Sequence, residues 1–153
     1  MIKEIMKEEE KEEISSAILQ ALPEWFGLTE STKEYIANSR NLPFFAYIEN
    51  GQPLGFIVLK ETSPYVVEIY VMGVLKEFHK QNIGKELLAS AEKYAKNSSY
   101  NFMQVKTVKE GIYAEYDITN HFYQKMNFLE FECMPDLWDK WNPCQIYIKA
   151  LED

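Results

Sequence analysis

The chain has 153 residues and a mass of 18.0 kDa, which is enough for one domain with a substantial core. Its composition, 46% hydrophobic and 26% charged, is typical of a globular protein, and it contains no apolar run long enough to span a membrane. A formal net charge of −8 argues against nucleic-acid binding, which needs a basic face. The N-terminus lacks the apolar segment of a signal peptide, so we expect a cytoplasmic protein that binds neither nucleic acid nor membranes.

The N-terminal part of the chain predicts one short strand and two helices. Residues 2–6 favour a strand, and the acidic run after them opens a helix, as the helix dipole prefers. The apolar positions of this helix keep helical spacing: Ile14, Ala17, Ile18, Ala21 and Leu22. Pro23 ends the helix, and a second helix follows with Thr29 as its N-cap.

Three strands and a long helix occupy the middle of the chain. Residues 43–49 and 53–61 flank Asn50-Gly51, a pair that predicts a tight hairpin between two strands. Residues 65–74 are β-branched and aromatic, which favours a third strand. A helix then begins after Asn82, which we interpret as its N-cap. Its apolar stripe comprises Ile83, Leu87, Leu88, Ala91, Tyr94 and Ala95.

The C-terminal part predicts a strand, a helix and two further strands. The strand covers residues 101–108, and the helix covers residues 116–126 with Ile118, Phe122 and Met126 on its apolar side. The segments "FLEFECM" and "CQIYIKAL" favour the last two strands. The order β-α-α-β-β-β-α-β-α-β-β predicts an α/β fold in which residues 1–153 form a single domain.

The sequence contains two cysteines and two histidines, and their spacing matches no zinc or disulfide pattern. We therefore expect no metal. We interpret Cys133 and Cys144 as reduced, buried thiols.

Several cations lie around the start of the long helix: Lys76, His79, Lys80 and Lys85. Cations oppose the positive end of a helix dipole, so a bound anion would explain their presence. The backbone N–H groups of the first turn lack intrahelical partners, and Gly84, having no Cβ, would let a ligand approach closely. These features predict a phosphate or pyrophosphate site. The alternative is an ordinary capped helix whose lysines are solvated.

The same segment resembles motif A of the GCN5-related N-acetyltransferases, [QR]-x-x-G-x-[GA] between a strand and a long helix. Its six positions are His79, Lys80, Gln81, Asn82, Ile83 and Gly84. In this family the loop wraps the pyrophosphate of acetyl-CoA, so the resemblance implies that these residues and Lys85 bind the cofactor. The first position is His79 where the family has Gln or Arg, and the fourth is Asn82 where it has Gly. Asparagine tolerates left-handed backbone angles, so the second change is mild.

Two further segments carry the resemblance. The stretch "EIYVMGV" resembles the family's fourth strand, which bulges, splays from the fifth strand and pairs its backbone with the pantetheine arm. The resemblance implies cofactor contacts at Met72, Gly73 and Val74, with Gly73 as the bulge residue. The stretch "FYQKMNF" resembles the end of the family's motif B and aligns Tyr123 with the tyrosine that protonates the CoA sulfur. Tyr116 occupies a position where many members have a CoA-binding Asn. The segments "LPEWFG" and "VKTV" also resemble an uncharacterised bacterial branch of the family, a likeness that names no substrate. The family resemblance implies a mixed, mostly antiparallel sheet flanked by helices.

Acetyl transfer to an amine needs a base, an oxyanion donor and an acid. Tyr123 is the candidate acid. Glu68, a charged residue within the apolar run "YVVEIYV", is the candidate base, acting directly or through a water. A backbone N–H between Met72 and Val74 is the candidate oxyanion donor. Most family members transfer the acetyl group directly, so Cys133 is not expected to carry it.

Aromatic and acidic residues suggest where the acceptor amine binds. An amine on an apolar stem could be held by cation–π contacts and charge pairing from Trp25, Phe26 and Glu24 on one side and from Trp138, Trp141, Asp136 and Asp139 on the other. Tyr70, two residues after Glu68 on the same strand, should face the same side and could share the pocket. The alternative is that the tryptophans only pack the rim of the sheet. Two functional hypotheses follow: an acetyl-CoA-dependent N-acetyltransferase acting on a small-molecule or peptide amine, and a non-catalytic CoA-binding sensor or scaffold. The sequence leaves a homodimer open.

Overall fold

The computed structural model describes residues 1–27 and 29–152. The strands are β1 (Ile2–Glu4), β2 (Phe44–Glu49), β3 (Gln52–Ser63), β4 (Val66–Val74), β5 (Phe102–Val108), β6 (Leu129–Asp139) and β7 (Asn142–Ala150). The helices are α1 (Glu8–Gln20), α2 (Thr29–Ser39), α3 (Ile83–Asn97) and α4 (Ala114–Lys125), with a 3₁₀ turn at Lys76–Phe78. The predicted order of elements is confirmed.

The strands form one seven-stranded sheet in the order β1-β2-β3-β4-β5-β7-β6. Among the described strands, only β4 and β5 are parallel neighbours, because α3 crosses between them; the other adjacent pairs are antiparallel. At the β2–β3 hairpin, Asn50 and Gly51 have φ values of 52° and 77°, the left-handed geometry that suits a tight two-residue turn. The predicted α/β class with a mixed, mostly antiparallel sheet is confirmed.

The helices cover the sheet in two layers, each with its own apolar cluster. On one face α3 buries the predicted stripe Ile83, Leu87, Leu88, Ala91 and Ala95, with Tyr94 half buried. On the other face α1 buries Ile14, Ile18 and Leu19, while Ala17, predicted on the inner side, is exposed. None of the helices among the described residues is long and apolar enough to cross a membrane.

The inner face of α4 agrees only in part with the predicted one: Phe122 and Met126 pack against the core, but Ile118 does not. Ile118 is 58% exposed, and the buried residues are Asn120 and Tyr123. Asn120 is tolerated inside because all its polar atoms have partners: its Nδ2 donates to the carbonyls of Val108 (2.8 Å) and Tyr116 (2.6 Å). Its Oδ1 accepts from the Tyr147 hydroxyl at 2.7 Å. Hydrogen bonding, which hydrophobic spacing does not report, therefore decides how α4 is rotated.

Replacing Asn120 by leucine should lower the free energy of unfolding by roughly 2–4 kcal/mol, because the Tyr147 hydroxyl and the Val108 carbonyl would lose a buried partner. Urea titration followed by circular dichroism measures this. The matched control is Asn101→Leu, since Asn101 is exposed and outside the network. Equal stability of wild type and Asn120→Leu would contradict the structural role of this side chain.

The strands β4 and β5 part after a short shared stretch. Their pairing ends at Ile69 and Val105, although β4 continues to Val74 and β5 to Val108. The register of β4 against β3 shifts at the same place, where Val71 pairs with Val58 and Ile69 with Leu59. Tyr70 is thus the extra residue of a β-bulge. The gap that opens between β4 and β5 agrees with the splay implied by the family resemblance.

The prediction of a bulge at Gly73 is wrong. Gly73 pairs regularly with Phe56 on β3. A Cβ at this position would lie 3.2 Å from Ile18 and 3.3 Å from Leu22, so the glycine lets α1 and the residues after it approach the sheet. A bulge and a close contact with α1 can each require a glycine on β4, and the local sequence does not show which of the two Gly73 serves.

The edge strand β6 exposes several large apolar side chains: Leu129, Phe131, Leu137 and Trp138. It is longer than predicted and continues to Asp139, whose carboxylate accepts from the backbone N–H groups of Trp141 and Asn142 in the following turn. Cys133 on this strand is only partly buried, so the prediction of a buried thiol there is wrong. Cys144 is buried as predicted, and burial raises the pKa of its thiol to about 11.

Candidate active site

The point where β4 and β5 part brings the two predicted catalytic side chains to opposite faces of the sheet. Tyr123 lies on the α3–α4 face, with its ring 6.2 Å from that of Tyr147. Tyr147 pairs with Val105, the last residue of β5 that is bonded to β4. Glu68 on β4 pairs with Gln104, one position before the gap, and its side chain lies on the α1–α2 face. An acetyl group placed in the gap could therefore be approached from both sides.

The Tyr123 hydroxyl is available at this point. Tyr123 is only 5% exposed, and its ring contacts those of Phe122 and Phe128. No hydrogen bond joins the hydroxyl to residues 1–27 or 29–152, so no group there competes for its proton. Burial of the ring raises the pKa of Tyr123, which keeps its proton in place at neutral pH.

The gap also presents backbone groups without strand partners. The backbone N–H of Leu75 donates to the Leu54 carbonyl at 2.9 Å, so the backbone groups of Leu75 point toward β3. Because backbone groups alternate in direction from one strand residue to the next, those of Gly73 also point toward β3. The same alternation turns the backbone groups of Met72 and Val74 toward the gap. Of the three backbone positions expected to bind the cofactor, Met72 and Val74 are therefore the ones that face the site.

The start of α3 is an uncapped helix end. Asn82 lies immediately before it, as predicted, but with φ 63° and ψ 13°, and its side chain makes no capping hydrogen bond. A side-chain N-cap needs an extended backbone, whereas Asn82 is left-handed, so the predicted cap is wrong. The left-handed angle is one that asparagine tolerates. The first-turn N–H groups therefore have no side-chain cap. Such a left-handed turn before a helix forms a concave set of N–H groups suited to an anion.

The cations near the start of α3 differ in their contacts: some are engaged within the protein and others are exposed. Lys76 forms an ion pair with Glu24 at 3.3 Å, and His79 donates from Nε2 to the Val74 carbonyl at 2.6 Å. Lys80, Gln81 and Lys85 are exposed and free to meet a ligand. The side chain of Ile83 is buried in the core, so only its backbone can contribute to the site.

Gly84 serves packing rather than ligand approach. A Cβ at this position would lie 3.2 Å from Phe122 of α4 and 3.5 Å from Met72 of β4. The expectation that its missing Cβ opens the backbone to a ligand is therefore wrong. Gly84 instead lets α3, α4 and β4 meet beneath the gap.

Trp25 and Tyr116 belong to one structural contact. The Trp25 indole N–H donates to the Glu115 carbonyl at 3.0 Å, and its ring lies edge-on to His79 at 5.5 Å. The Tyr116 hydroxyl donates to the Trp25 carbonyl at 2.5 Å, and burial raises the pKa of Tyr116 to about 12. Together these bonds tie the segment between α1 and α2 to α4. Trp25 and Tyr116 thus have their polar groups engaged within the protein.

On the opposite face, Glu68 is held by side chains of β5. Lys106 places its Nζ 3.1 Å from Glu68 Oε1, and the Gln104 amide donates to the same oxygen at 3.3 Å. Only 11% of the Glu68 side chain is exposed. The bulge keeps Tyr70 on this face, as predicted, because Tyr70 and Val71 both turn toward the α1–α2 layer.

A row of aromatic rings leads from the α1–α2 segment to Glu68. Phe26 contacts Tyr35 at 6.1 Å between ring centroids, and Tyr35 contacts Tyr70 at 5.2 Å. Asn38 donates to the Tyr70 hydroxyl at 2.8 Å. Burial raises the pKa of Tyr70, and the nearby negative charges of Glu34 and Glu68 add to the shift. Phe26 and Tyr70 therefore share one surface next to the candidate base.

Trp138 lies elsewhere. It is 44% exposed on β6, two strands beyond β5, and among the described residues no ring contact joins it to Phe26 or Tyr70.

Sequence reasoning missed Tyr35, Asn38, Gln104 and Lys106, which complete the surroundings of Glu68. A signal existed for β5, since the strand pattern places Gln104 and Lys106 on the same side of the sheet.

Residues 4–128 match the model of the acetyltransferase (GNAT) family, and the chain belongs to this family. The resemblance stated from the motifs is therefore confirmed. Membership supports acetyl transfer as the general reaction. None of the curated proteins matches the chain.

Solved structures share the fold over the whole chain. The aminoglycoside 6′-N-acetyltransferase from Enterococcus faecium has a TM-score of 0.78 at 17% identity, covering 100% of this chain and 98% of that one. The IAA acetyltransferase from Bacillus cereus ATCC 14579 has a TM-score of 0.75 at 21% identity, covering 99% of each chain. A GNAT acetyltransferase from Elizabethkingia anophelis with bound acetyl-CoA has a TM-score of 0.69 at 20% identity, covering 85% of this chain and 88% of that one. At such identities the likeness shows the fold alone.

Proposed function

We propose that the chain is an acetyl-CoA-dependent N-acetyltransferase that moves an acetyl group directly to a primary amine of a small molecule or peptide. Residues 1–153 would form its single catalytic domain. The observation that carries this proposal is the gap between β4 and β5, with the Tyr123 hydroxyl on one face and the Glu68 carboxylate on the other. A scaffold or sensor would need the gap but not two proton-transfer groups on opposite sides of it.

The residues at the gap suit coenzyme A. The backbone of Met72 and the N–H of Val74 have no strand partner at the gap and can bond the amides of a pantetheine arm, whereas the Val74 carbonyl is held by His79. The uncapped start of α3 can receive a pyrophosphate, with Lys80 and Lys85 close enough in sequence to balance its charge. Bound there, acetyl-CoA supplies a thioester whose carbonyl carbon accepts the amine.

The protein's own part in the reaction is proton transfer and placement. Glu68 takes a proton from the amine nitrogen, directly or through a water, and Lys106 and Gln104 hold its carboxylate in position. The N–H of Met72 or Val74 donates to the thioester oxygen as negative charge develops on it. Tyr123 gives its proton to the leaving sulfur. Alignment of the two substrates in the gap supplies much of the remaining rate.

The test of this proposal is thiol release from acetyl-CoA with a panel of amines: polyamines, aminoglycosides, amino acids and peptide N-termini. Release with at least one amine, together with the acetylated product by mass spectrometry, supports catalysis. Tight CoA binding with no release for any amine would instead support the sensor or scaffold hypothesis.

CoA binding should raise the melting temperature by mass action, about 5–10 °C at a ligand concentration 100 times Kd for a chain of this size. Asn82→Val should weaken CoA binding at least about 10-fold, because a β-branched residue disfavours the left-handed angle that shapes the anion site. Asn82→Gly should bind as well as wild type. Isothermal titration calorimetry gives the CoA dissociation constants of wild type, Asn82→Val and Asn82→Gly.

Ser99→Val is the matched control for the strain itself. Ser99 is also left-handed, with φ 69°, but follows the other end of α3, roughly 22 Å away. It should lose stability and keep its CoA affinity. If Asn82→Val bound CoA as tightly as Ser99→Val does, the pyrophosphate site would lie elsewhere.

A further inference from the structure

Glu68 is flanked by lysines on both neighbouring strands. Lys106 of β5 places its Nζ 3.1 Å from Glu68 Oε1. Lys60 of β3 is the register partner of Glu68, and its Nζ lies 5.5 Å from the centre of the Tyr70 ring. Partners across an antiparallel pair point to the same side, so both lysines share the face on which Glu68 lies. This concentration of positive charge occurs in a chain whose formal net charge is −8.

Neutralising Glu68 accounts for only one of these lysines. The ammonium group of Lys106 has three N–H donors, and 35% of its side chain is exposed, so it can bond Glu68 and a ligand together. Lys60 forms no ion pair with any described residue and is exposed. Two ammonium groups are therefore available to an anion bound beside the candidate base.

The other groups around this position do not favour a polycation. Tyr35, Tyr70 and Asn38 are uncharged, and the acidic neighbour that faces them is the exposed Glu34 of α2. Two lysines and two glutamates thus face one small region. A polyamine or aminoglycoside would meet as much repulsion as attraction there, whereas a ligand with one positive and one negative charge would find a partner for each.

We propose that the acceptor is an α-amino acid, whose amine lies against Glu68 and whose carboxylate is bound by Lys106 and Lys60. This inference rests on the proposed function and names its substrate class. The close pairing of Glu68 with Lys106 suits the short separation of the two charged groups in an α-amino acid. In a longer peptide the carboxylate is remote from the reacting amine and cannot reach the same pair of lysines. The rings of Phe26, Tyr35 and Tyr70 then line the region next to the amino acid side chain.

Matched acceptors test this. Each of the proteinogenic amino acids is compared with its own α-amide, which keeps the amine and side chain and lacks the carboxylate. At least one amino acid should be acetylated with a kcat/KM about 10- to 100-fold above that of its amide, the factor expected for charge-assisted hydrogen bonds to a carboxylate. Product analysis by mass spectrometry confirms acetylation of the α-amine.

Two single variants and their combination test whether Lys60 and Lys106 bind the carboxylate of the amino acid. Lys60→Gln and Lys106→Gln should each reduce the ratio of amino acid to amide kcat/KM at least about threefold, and the double variant should bring it close to one. Use of a ratio cancels any effect of Lys106 on the placement of Glu68. Lys149→Gln is the control, because Lys149 forms an equally close pair with Glu92 of α3, at 3.0 Å, on the face of the sheet opposite to Glu68. Its ratio should equal that of wild type.

The outcomes separate this inference from the proposed function. No turnover with any amine, while CoA still binds, would refute catalysis itself. Turnover in which amides react as well as amino acids, or a ratio that survives the double variant, would leave the N-acetyltransferase standing and overturn the amino acid assignment.

Discussion

Replacing Tyr123 by phenylalanine should lower kcat for acetyl transfer by roughly 10- to 1000-fold, with the KM for acetyl-CoA nearly unchanged. The substitution removes one hydroxyl and keeps a ring that contacts Phe122, Phe128 and Tyr147. Because that hydroxyl bonds no described residue, the free energy of unfolding should change little. The reason for the loss of rate is that proton donation to the sulfur matters only as the thioester bond breaks.

Tyr147→Phe is the matched control, since Tyr147 is the ring next to Tyr123 and its hydroxyl is engaged by Asn120 and Gln124. That variant should lose stability and retain kcat. Steady-state kinetics and urea titration on both proteins give opposite expected patterns. Unchanged turnover in Tyr123→Phe would make Tyr123 one more core aromatic.

Glu68→Gln should lower kcat/KM at neutral pH by roughly 100- to 10,000-fold, the range for loss of a positioned general base. The glutamine keeps the shape of the side chain but cannot accept the amine proton. Higher pH should partly restore the rate, because a larger fraction of the free amine is then neutral without help. The acidic limb of the pH–rate profile should become flatter in the variant.

Glu92→Gln provides the comparison, because Glu92 pairs with Lys149 much as Glu68 pairs with Lys106. It should keep the wild-type rate and pH profile. A Glu68→Gln enzyme with the wild-type profile would place the base on another group or on solvent.

Local chemistry explains why much of the fold was predictable. The Asn-Gly pair at residues 50–51 carries its own turn geometry, and the stripe on α3 repeats at helical spacing over four turns. The left-handed angle at Asn82 follows from the same kind of local preference. Each of these features depends on residues close together in the chain, so the pattern alone was sufficient.

The wrong predictions concern contacts between distant segments. Gly73 and Gly84 both looked like backbone adaptations, yet each is required by a side chain far away in sequence, from Ile18 in one case and Phe122 in the other. The inner face of α4 depends on hydrogen bonds that Asn120 forms with β5 and β7. A single-residue pattern reports size and polarity, and it contains no information on which partner will be brought into reach.

The candidate site divides in the same way. The sequence by itself determined the family resemblance, the order of elements and the two side chains proposed for proton transfer, because these depend on short motifs and residue type. Only the tertiary structure decided that Tyr123 and Glu68 lie on opposite faces of one gap. It also decided that hydrogen bonds of Trp25 and Tyr116 join the segment between α1 and α2 to α4. Only it placed Lys60 and Lys106 on either side of Glu68, since strand register, set by the packing of the whole sheet, determines which side chains become neighbours.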